Sequence, residues 1–331
     1  MTRLRFANLD SSTAGLGEGI NIPCMSPADS SSAKMPDSPA HPPVCDYEGS
    51  DYQAKFWEQG ERSYEDRVEA IAISRLLPGL GKLLLEIGAG AGRNTPRYKG
   101  YERVVLLDYS RTQLEQAQRR LGSDPRYIYV AADVYRLPFV PGLFDAATMI
   151  RVLHHMVDAP RALRQVRQTL QPGAAFILEF ANKQNLKAIL RYALRQQSWS
   201  PFTKEPVEFA ALNFDFHPQQ VRLWLEQSGF VTHRQLTVSH FRSGVLKRIL
   251  PVGLLVSMDA LAQWTGEWWQ LSPSVFTLNL AVGETPTASD GAFFCCPECR
   301  QTWFKLSEED MVCPACSHRW EFKDGIYDFR S

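Results

Sequence analysis

Three glycines at alternate positions follow directly after an apolar run of strand length. The run covers residues 83–87 and contains one acid, Glu86, and the glycines are Gly88, Gly90 and Gly92. Without a β-carbon the backbone can pass close to a bound ligand, so this layout is typical of a nucleotide-binding turn in an α/β sheet. A dinucleotide fingerprint, G-x-G-x-x-G/A, would end at position 93, where arginine is too bulky for close helix–strand packing. The spacing therefore argues against a dinucleotide.

Two aspartates stand where later strands should end. Asp108 closes an apolar run at residues 103–107, and Asp133 follows another at residues 127–130. An acid at the end of the second strand accepts hydrogen bonds from ribose hydroxyls, and NAD enzymes also use one there. Asp108 therefore predicts a ribose-binding position but does not by itself choose between cofactors.

Two further apolar runs complete the strand pattern. Residues 144–150 lead into Arg151 and a pair of histidines, and residues 174–180 follow a Leu-Gln-Pro-Gly turn. Apolar strands with polar ends occur in any doubly wound protein, but here five such strand ends lie in register. They predict an α/β fold with a ligand site at the carboxyl ends of its strands.

The segment at residues 86–92 strongly resembles the E-x-G-x-G-x-G loop of class I S-adenosylmethionine (SAM) methyltransferases, and the later strand ends fall where that family has them. The resemblance implies a seven-stranded, doubly wound sheet whose last strand is antiparallel, and SAM as the cofactor. In that family the aspartate after the third strand faces the adenine amino group, and the next backbone amide reaches a ring nitrogen. The resemblance thus implies a cofactor site made of Glu86, Gly88, Gly90, Gly92, Asp108, Asp133, Val134 and Arg151.

The chemistry implied by this cofactor is methyl transfer. A sulfonium carries an activated methyl group, so transfer is an in-line displacement governed mostly by positioning of the nucleophile. The resemblance implies that Glu86 holds the methionine end, Asp108 the ribose and Asp133 the adenine. His154 and His155 lie where the substrate-facing loop of the family begins, and imidazole could take a phenolic or enolic proton there. A packing role or a local hydrogen bond is the alternative for each histidine.

A second motif lies near the carboxyl terminus. Cys296 and Cys299 form one C-P-x-C knuckle, Cys313 and Cys316 form another, and thirteen residues separate the two. Four thiolates in this pattern suit tetrahedral Zn²⁺ in a closed structural site. A segment as short as residues 290–331 buries little core, so the metal would supply much of its folding energy. A disulfide framework is the alternative, and it needs an oxidising compartment that nothing in the sequence suggests.

The remaining cysteines carry no comparable signal. Cys295 is a poorly spaced alternative ligand beside the first knuckle, and residues 46–294 contain no cysteine at all. This absence excludes the thiolate nucleophile used by some pyrimidine methyltransferases.

The last residues of this predicted zinc ribbon carry a further resemblance. Residues 324–329 read D-G-I-Y-D-F and are similar to the close of a small zinc-binding activator subunit shared by several tRNA, rRNA and release-factor methyltransferases. Residues 290–331 hold eight acids and five Lys or Arg, a net charge of −3, which makes them a poor phosphate clamp. We therefore expect the ribbon to brace the catalytic domain or to meet a protein partner.

A basic stripe follows the fifth predicted strand. Its members are Lys183, Lys187, Arg191 and Arg195, which recur every four residues on one predicted helix. Four apolar residues lie opposite them: Leu186, Leu190, Ala193 and Leu194. The stripe could receive a phosphate-bearing substrate, because open α/β sheets bind ligands at this edge. The favoured interpretation is the solvated face of an amphipathic helix.

The insertion at residues 241–273 is strongly apolar and includes three tryptophans. It predicts either a helical lid over a hydrophobic small molecule or simple packing against the sheet. A role at a membrane surface is weaker, because only Arg242, Lys247 and Arg248 would meet headgroups.

Composition agrees with an ordinary enzyme. The chain has 331 residues, of which 44 % are hydrophobic and 22 % charged, with a formal net charge of zero, so it is not built as a whole to hold polyanions. We expect a disordered tail at residues 1–45, rich in Ser and Pro, a methyltransferase domain at 46–285 and the ribbon at 290–331. No window resembles the ~18 apolar residues of a membrane span, and no apolar signal segment opens the chain. The default location is therefore the cytoplasm.

The acceptor is inferred from what the substrate-facing loop lacks. It has no Asp/Asn-Pro-Pro-aromatic motif, which methyltransferases use to grip exocyclic base amines, whereas Leu-His-His is more typical of small-molecule methyltransferases, including those that act on quinones. The sequence therefore predicts a SAM-dependent methyltransferase with a small, hydrophobic acceptor. An RNA or protein acceptor docked through the ribbon is the alternative, and a non-catalytic SAM-fold scaffold is a third. The sequence gives no indication of oligomeric state.

Overall fold

A single mixed sheet forms the centre of the molecule. The computed structural model describes residues 42–46, 48–49, 62–302, 305–306 and 310–330. Most of the tail predicted for residues 1–45, namely residues 1–41, thus lies outside the described residues. In chain order the strands, including a separate hairpin of β6 and β7, are β1 Gly81–Ile87, β2 Tyr101–Asp108, β3 Tyr127–Ala131, β4 Phe144–Met149, β5 Leu170–Ala181, β6 Val207–Ala210, β7 Asn213–Asp215, β8 Phe230–Val238, β9 Ser274–Ala281, β10 Lys305–Leu306, β11 Asp310–Val312, β12 Arg319–Lys323 and β13 Ile326–Asp328.

The strand order is β10-β11-β12-β13-β3-β2-β1-β4-β5-β9-β8. Strands β1 to β5 pair in parallel, and β9 runs antiparallel to both of its neighbours. The α/β class with a central sheet is therefore as the sequence predicted. The sheet has eleven strands rather than seven, because four short strands from the C-terminal region continue it beyond β3.

Alternate residues of the central strands feed two separate cores. Leu85 and Val105 belong to the core on one face of the sheet, whereas Leu84 and Val104 belong to the core on the other. Side chains of a strand point to opposite faces in turn, so a strand buried on both faces is apolar throughout. The near-continuous apolar runs of the sequence have this cause.

Helices cover both faces. Helices α1, α2 and α7 pack on one face and α3 and α5 on the other, which gives a three-layer α/β/α arrangement. In chain order the helices are α1 Ser63–Leu76, α2 Arg111–Leu121, α3 Ala159–Thr169, α4 Leu186–Ala193, α5 Pro218–Gln227, α6 Gly244–Ile249 and α7 Val252–Ala262. None of the helices in the described ranges is both long and apolar enough to cross a bilayer.

The insertion between β8 and β9 consists of α6, α7 and a 3₁₀ turn at Gln263–Glu267. It is tied to α1 by buried polar contacts: Tyr64 Oη donates to Asp259 Oδ2 at 2.7 Å, and Gln263 Nε2 donates to the Val68 carbonyl at 3.0 Å. The insertion therefore packs with α1 on one face of the sheet, and its role as a lid stays a prediction.

The C-terminal region joins the catalytic sheet through backbone pairing. Strand β13 lies parallel to β3, with Ile326 opposite Tyr129, and the Phe329 amide donates to the Ala131 carbonyl at 2.7 Å. Trp320 is buried in the same core as the central strands. The region is thus an integral extension of the sheet.

Candidate functional site

A cavity opens at the carboxyl ends of β1, β2 and β4. Its lining includes Gly88 and Gly90 from the turn after β1, Asp108 from β2, and Arg151 and His155 from the loop after β4. This is the edge at which open parallel sheets bind ligands. The structure thus brings together residues that are distant in the chain, such as Gly88 and His155, which lie 67 positions apart.

The three glycines of the turn all have positive φ angles, of 67° for Gly88, 53° for Gly90 and 72° for Gly92. A β-carbon on Gly88 would lie 2.1 Å from Val152 Cγ2, and one on Gly92 would lie 3.0 Å from Leu121 Cδ1. At Gly90 the nearest atom would be Gln113 Oε1, at 3.9 Å. Gly88 and Gly92 therefore serve protein packing, whereas Gly90 faces the cavity, where a side chain would occupy ligand space.

Asp108 connects this turn to the start of α2. Its carboxylate accepts hydrogen bonds from the Gly90 amide at 2.8 Å and the Ser110 amide at 2.9 Å. Burial raises the pKa of Asp108 to about 6, and the two amides oppose that rise. A ligand hydroxyl that donates to this carboxylate would favour its ionised form, as predicted for a ribose.

Three predicted cofactor residues do not line the cavity: Gly92, which packs against α2, and the acids Glu86 and Asp133. Glu86 lies behind the turn, where Thr95 Oγ1 donates to it at 2.6 Å and Tyr98 Oη at 3.3 Å, and burial raises its pKa to about 7. Asp133 caps a 3₁₀ turn by accepting from the Tyr135 amide at 2.8 Å, while its neighbour Val134 does line the cavity. The direct cofactor contacts expected of Glu86 and Asp133 stay predictions, and their visible role is to shape the loops.

Arg151 lines the cavity with a left-handed backbone, at φ 61°. Its amide donates to Glu179 Oε2 at 2.8 Å, and its guanidinium Nη1 lies 3.4 Å from Oε1 of the buried Glu69. Glu69 also pairs with Arg93, whose Nη2 lies 2.7 Å from Oε2. One buried carboxylate thus orients two guanidinium groups beside the cavity.

The two histidines occupy different environments. His155 lines the cavity, and its Nδ1 lies 3.0 Å from the Leu212 carbonyl. Because a carbonyl only accepts, we assign the proton to Nδ1, which makes Nε2 the accepting nitrogen. Burial lowers the pKa of His155. His154 packs beside it, with ring centroids 4.0 Å apart, and burial together with the neighbouring charges lowers its pKa further, but it does not line the cavity.

Sequence reasoning missed a segment that closes one side of the cavity. We call residues 42–46 and 48–49 the strap. Val44 and Cys45 line the cavity beside Tyr109, and Glu48 accepts from the Arg111 amide at 2.9 Å. Near the other end of the chain, Arg330 Nη1 lies 3.0 Å from Glu48 Oε2 and 3.2 Å from the Tyr109 carbonyl. No local signal in the Ser- and Pro-rich sequence indicated these contacts.

The four cysteines of the knuckles come together as predicted. Their sulfur atoms all lie within 4.8 Å of one another, with 3.4 Å between Cys299 and Cys313 and 3.7 Å between Cys296 and Cys316. Sulfurs around tetrahedral Zn²⁺ are about 3.8 Å apart, so the donor set fits this metal. Cys295 is separate, since its thiol donates to the Phe139 carbonyl at 3.0 Å.

Known methyltransferases are similar to this chain in sequence. The model of the methyltransferase domain matches residues 85–178. A demethylmenaquinone methyltransferase from Clavibacter sepedonicus is 28 % identical over 186 residues, which are 52 % of this chain and 76 % of that protein. A 2-phytyl-1,4-naphtoquinone methyltransferase from Trichormus variabilis is 30 % identical over 184 residues, 50 % of this chain and 80 % of that protein. The chain belongs to the class I SAM-dependent methyltransferases.

A solved structure agrees at the level of the fold. A chain from the complex between the Haloferax volcanii Trm112 methyltransferase activator and a methyltransferase superposes with a TM-score of 0.51. The superposition covers 70 % of this methyltransferase and 96 % of that chain, at 14 % identity. The family and the SAM cofactor predicted from the glycine turn are thereby confirmed.

Proposed function

We propose that this methyltransferase acts on a small, hydrophobic acceptor that loses an acidic proton as it is methylated, such as a quinol. The observation that carries the proposal is His155, which lines the same cavity as Gly90 and is tied through Nδ1 to the Leu212 carbonyl. The demethylmenaquinone and 2-phytyl-1,4-naphtoquinone methyltransferases, each similar over about half of this chain, support this acceptor class.

The cavity residues suit SAM, which supplies an activated methyl group when it is bound. Gly90 leaves space for the backbone to approach the ligand, and Asp108 offers its carboxylate to ribose hydroxyls. The guanidinium of Arg151 provides positive charge for a carboxylate at the methionine end. Val134 lines the cavity after the third strand, where the family places adenine. With SAM bound, these residues would hold the methyl donor in place for the acceptor.

His155 is proposed as the general base. With its proton on Nδ1, Nε2 can accept the hydroxyl proton of the acceptor as the nucleophile forms. Burial holds the pKa of His155 below the usual 6.5, so the ring is neutral and able to accept a proton at physiological pH. His154, which packs against it, would support the orientation of this ring. The insertion at residues 241–273 would close over the acceptor as a lid.

The four knuckle cysteines are proposed to hold a structural Zn²⁺. The donor set of Cys296, Cys299, Cys313 and Cys316 is complete, so no coordination position is left for substrate chemistry. Thiolate sites of this kind persist in a reducing compartment, which is consistent with the cytoplasmic location that we propose. Because β13 is paired with β3, the ribbon is proposed to brace the catalytic domain.

The acceptor class is tested with methyl-tritiated SAM. The purified enzyme is incubated with a cell extract, and the label is separated into organic-soluble, RNA and protein pools. We expect counts in the organic phase, and a synthetic naphthoquinol should then serve as a defined acceptor. Counts that are removed by ribonuclease or protease would instead establish an RNA or protein acceptor, and would make the ribbon its docking surface.

The base is tested with His155→Ala and the matched variant His154→Ala. Removing a general base lowers kcat by about 10² to 10⁴-fold, and we expect this for His155→Ala with an unchanged Kd for SAM. In the wild type, kcat should fall only below pH 6.5, because the pKa of His155 is lowered. Equal losses in the two variants, or a pH profile that both share with the wild type, would contradict the role.

A further inference from the structure

Helix α4 presents its leucines to the outside of the molecule. Leu186, Leu190 and Leu194 recur every four residues and are 51 %, 53 % and 67 % exposed, and the one buried residue of the helix is Ala188. Positions four apart lie on the same side of a helix, so the three leucines form one stripe. The amphipathic pattern predicted solvated basic residues with the leucines packed on the opposite side, whereas the structure leaves the leucines exposed as well.

A basic stripe accompanies the leucines. Lys187, Arg191 and Arg195 each follow one leucine by a single position, and all three are exposed. Residues 186–200 contain no acid, although the whole chain has a net charge of zero. Lys183 is not part of this surface, because it is buried and its Nζ donates to the Glu205 carbonyl at 2.6 Å. The positive charge of α4 is therefore local and faces outward beside the leucines.

The apolar surface continues onto the insertion. The Leu186 amide donates to the Leu271 carbonyl at 2.8 Å, which places the start of α4 against Leu271, two residues after Trp269. Trp268 is 77 % exposed there, next to Trp269 at 57 %. Indole rings combine an apolar body with a polar N–H group and suit the boundary between hydrocarbon and headgroups. We call these residues and the leucine stripe the apolar face; its members are Leu186, Leu190, Leu194, Trp268, Trp269 and Leu271.

We propose that the apolar face docks on the surface of an anionic lipid bilayer. Leucines and tryptophans beside a row of Lys and Arg are the combination by which peripheral helices lie in the headgroup region. The absence of any acid from residues 186–200 matches the face to a uniformly anionic surface. Helix α4 begins five residues after β5 ends, at the sheet edge where the cavity opens. Bound in this way, the enzyme would take its acceptor from the bilayer, a step that rests on the proposed function.

The test is co-sedimentation of the full-length protein with vesicles of phosphatidylcholine, alone or with one quarter phosphatidylglycerol. We expect binding to the anionic vesicles that weakens with salt. Each basic residue near such a surface contributes about fivefold to partitioning, so Lys187→Gln with Arg191→Gln should lower it about 25-fold. Trp268→Ser should lower it about tenfold. The folded state of each variant is checked by its affinity for SAM.

Matched controls carry the same changes elsewhere. Arg119→Gln with Arg120→Gln removes two exposed charges from α2, and Leu80→Ser removes an apolar side chain that is 84 % exposed beside the start of β1. Both should bind vesicles as the wild type does. The proposal is overturned if the wild type ignores anionic vesicles, or if the controls lose binding equally. It is also overturned if the protein is a dimer that Trp268→Ser dissociates and that shows no lipid binding. Vesicle binding needs no methyl transfer, so failure of the proposed acceptor would show separately in the labelling experiment.

Discussion

Gly90 offers a sharp separation between folding and cofactor binding. The substitution Gly90→Ala adds one methyl group at a position with φ 53° and with no protein atom closer than 3.9 Å. The left-handed conformation costs an L-residue about 1–2 kcal/mol, and no clash adds to it. For a domain of this size we expect Tm to fall by about 2–8 °C.

The same methyl group should have a larger effect on SAM. It projects into the cavity at the point where the backbone is open to a ligand, and Asp108 accepts from the amide of this residue. We expect the Kd for SAM to rise at least about 100-fold, which corresponds to about 2.7 kcal/mol. Isothermal titration calorimetry gives the Kd, and urea unfolding gives the stability.

Gly92→Ala is the matched control from the same turn. Its β-carbon would lie 3.0 Å from Leu121 Cδ1 and 3.2 Å from Ala117 Cβ, so it should overpack the contact with α2 and destabilise the fold by about 2–4 kcal/mol. The affinity of the folded fraction should change less than for Gly90→Ala. If Gly90→Ala bound SAM as the wild type does, the cavity that we describe would not be the cofactor site.

Three further predictions concern metal, charge and the strap. Cys313→Ser should reduce the zinc content from one ion per chain to none and lower the Tm, because it removes a buried metal ligand. A colorimetric assay measures the zinc content, and a variant that kept its zinc would contradict the proposed ligand set. Glu86 has its pKa raised by burial from 4.5 to about 7, so the folded state holds a proton that the unfolded state releases, and stability should fall as pH rises between these values. Glu86→Gln should remove that slope and raise the free energy of unfolding at pH 8 by roughly 1–3 kcal/mol, as measured by urea unfolding at pH 5 and pH 8; an unchanged slope would assign the effect to another group. Arg330→Ala should raise the Kd for SAM two- to fivefold without changing kcat at saturation, because the partly exposed ion pair between Arg330 and Glu48 contributes at most about 1 kcal/mol. The control Lys323→Ala, an exposed change in the same ribbon, should leave the Kd unchanged. Equal Kd values for both variants would show that the strap does not depend on Arg330.

The sequence predicted the site where the signal was local. The glycine spacing and the acid at the end of β2 placed Gly90 and Asp108 correctly at the cavity, because strand ends of a parallel sheet meet at one edge. The alternation of side chains along β1 also indicated the position of Glu86. Leu84 and Glu86 are two residues apart, so they point to the same face of the sheet, and Leu84 belongs with Tyr98 to the core on that face. That alternation is a signal that could have been used.

Other features depend on contacts between distant parts of the chain. Val44 lines the cavity from one end of the sequence, and Arg330 near the other end contacts the Tyr109 carbonyl beside it; neither stands in a local pattern that indicates this contact. On α4 the sequence showed an apolar and a basic stripe, but it could not show that both of them lie at the surface. That outcome follows from the burial of Lys183 and the docking of Leu186 beside Leu271, which are tertiary contacts.

The pairing of β13 with β3 has a consequence for solubility. Without the C-terminal strands, β3 would be the last strand of a parallel sheet, and its unpaired amides and carbonyls would form a template for self-association. The C-terminal region covers that edge and ends in β10, a strand of two residues that offers little to a second chain. Without the proposed zinc, loss of the C-terminal strands would expose β3 and favour aggregation. Under that proposal, zinc supply in the cell would set how much of the enzyme escapes aggregation.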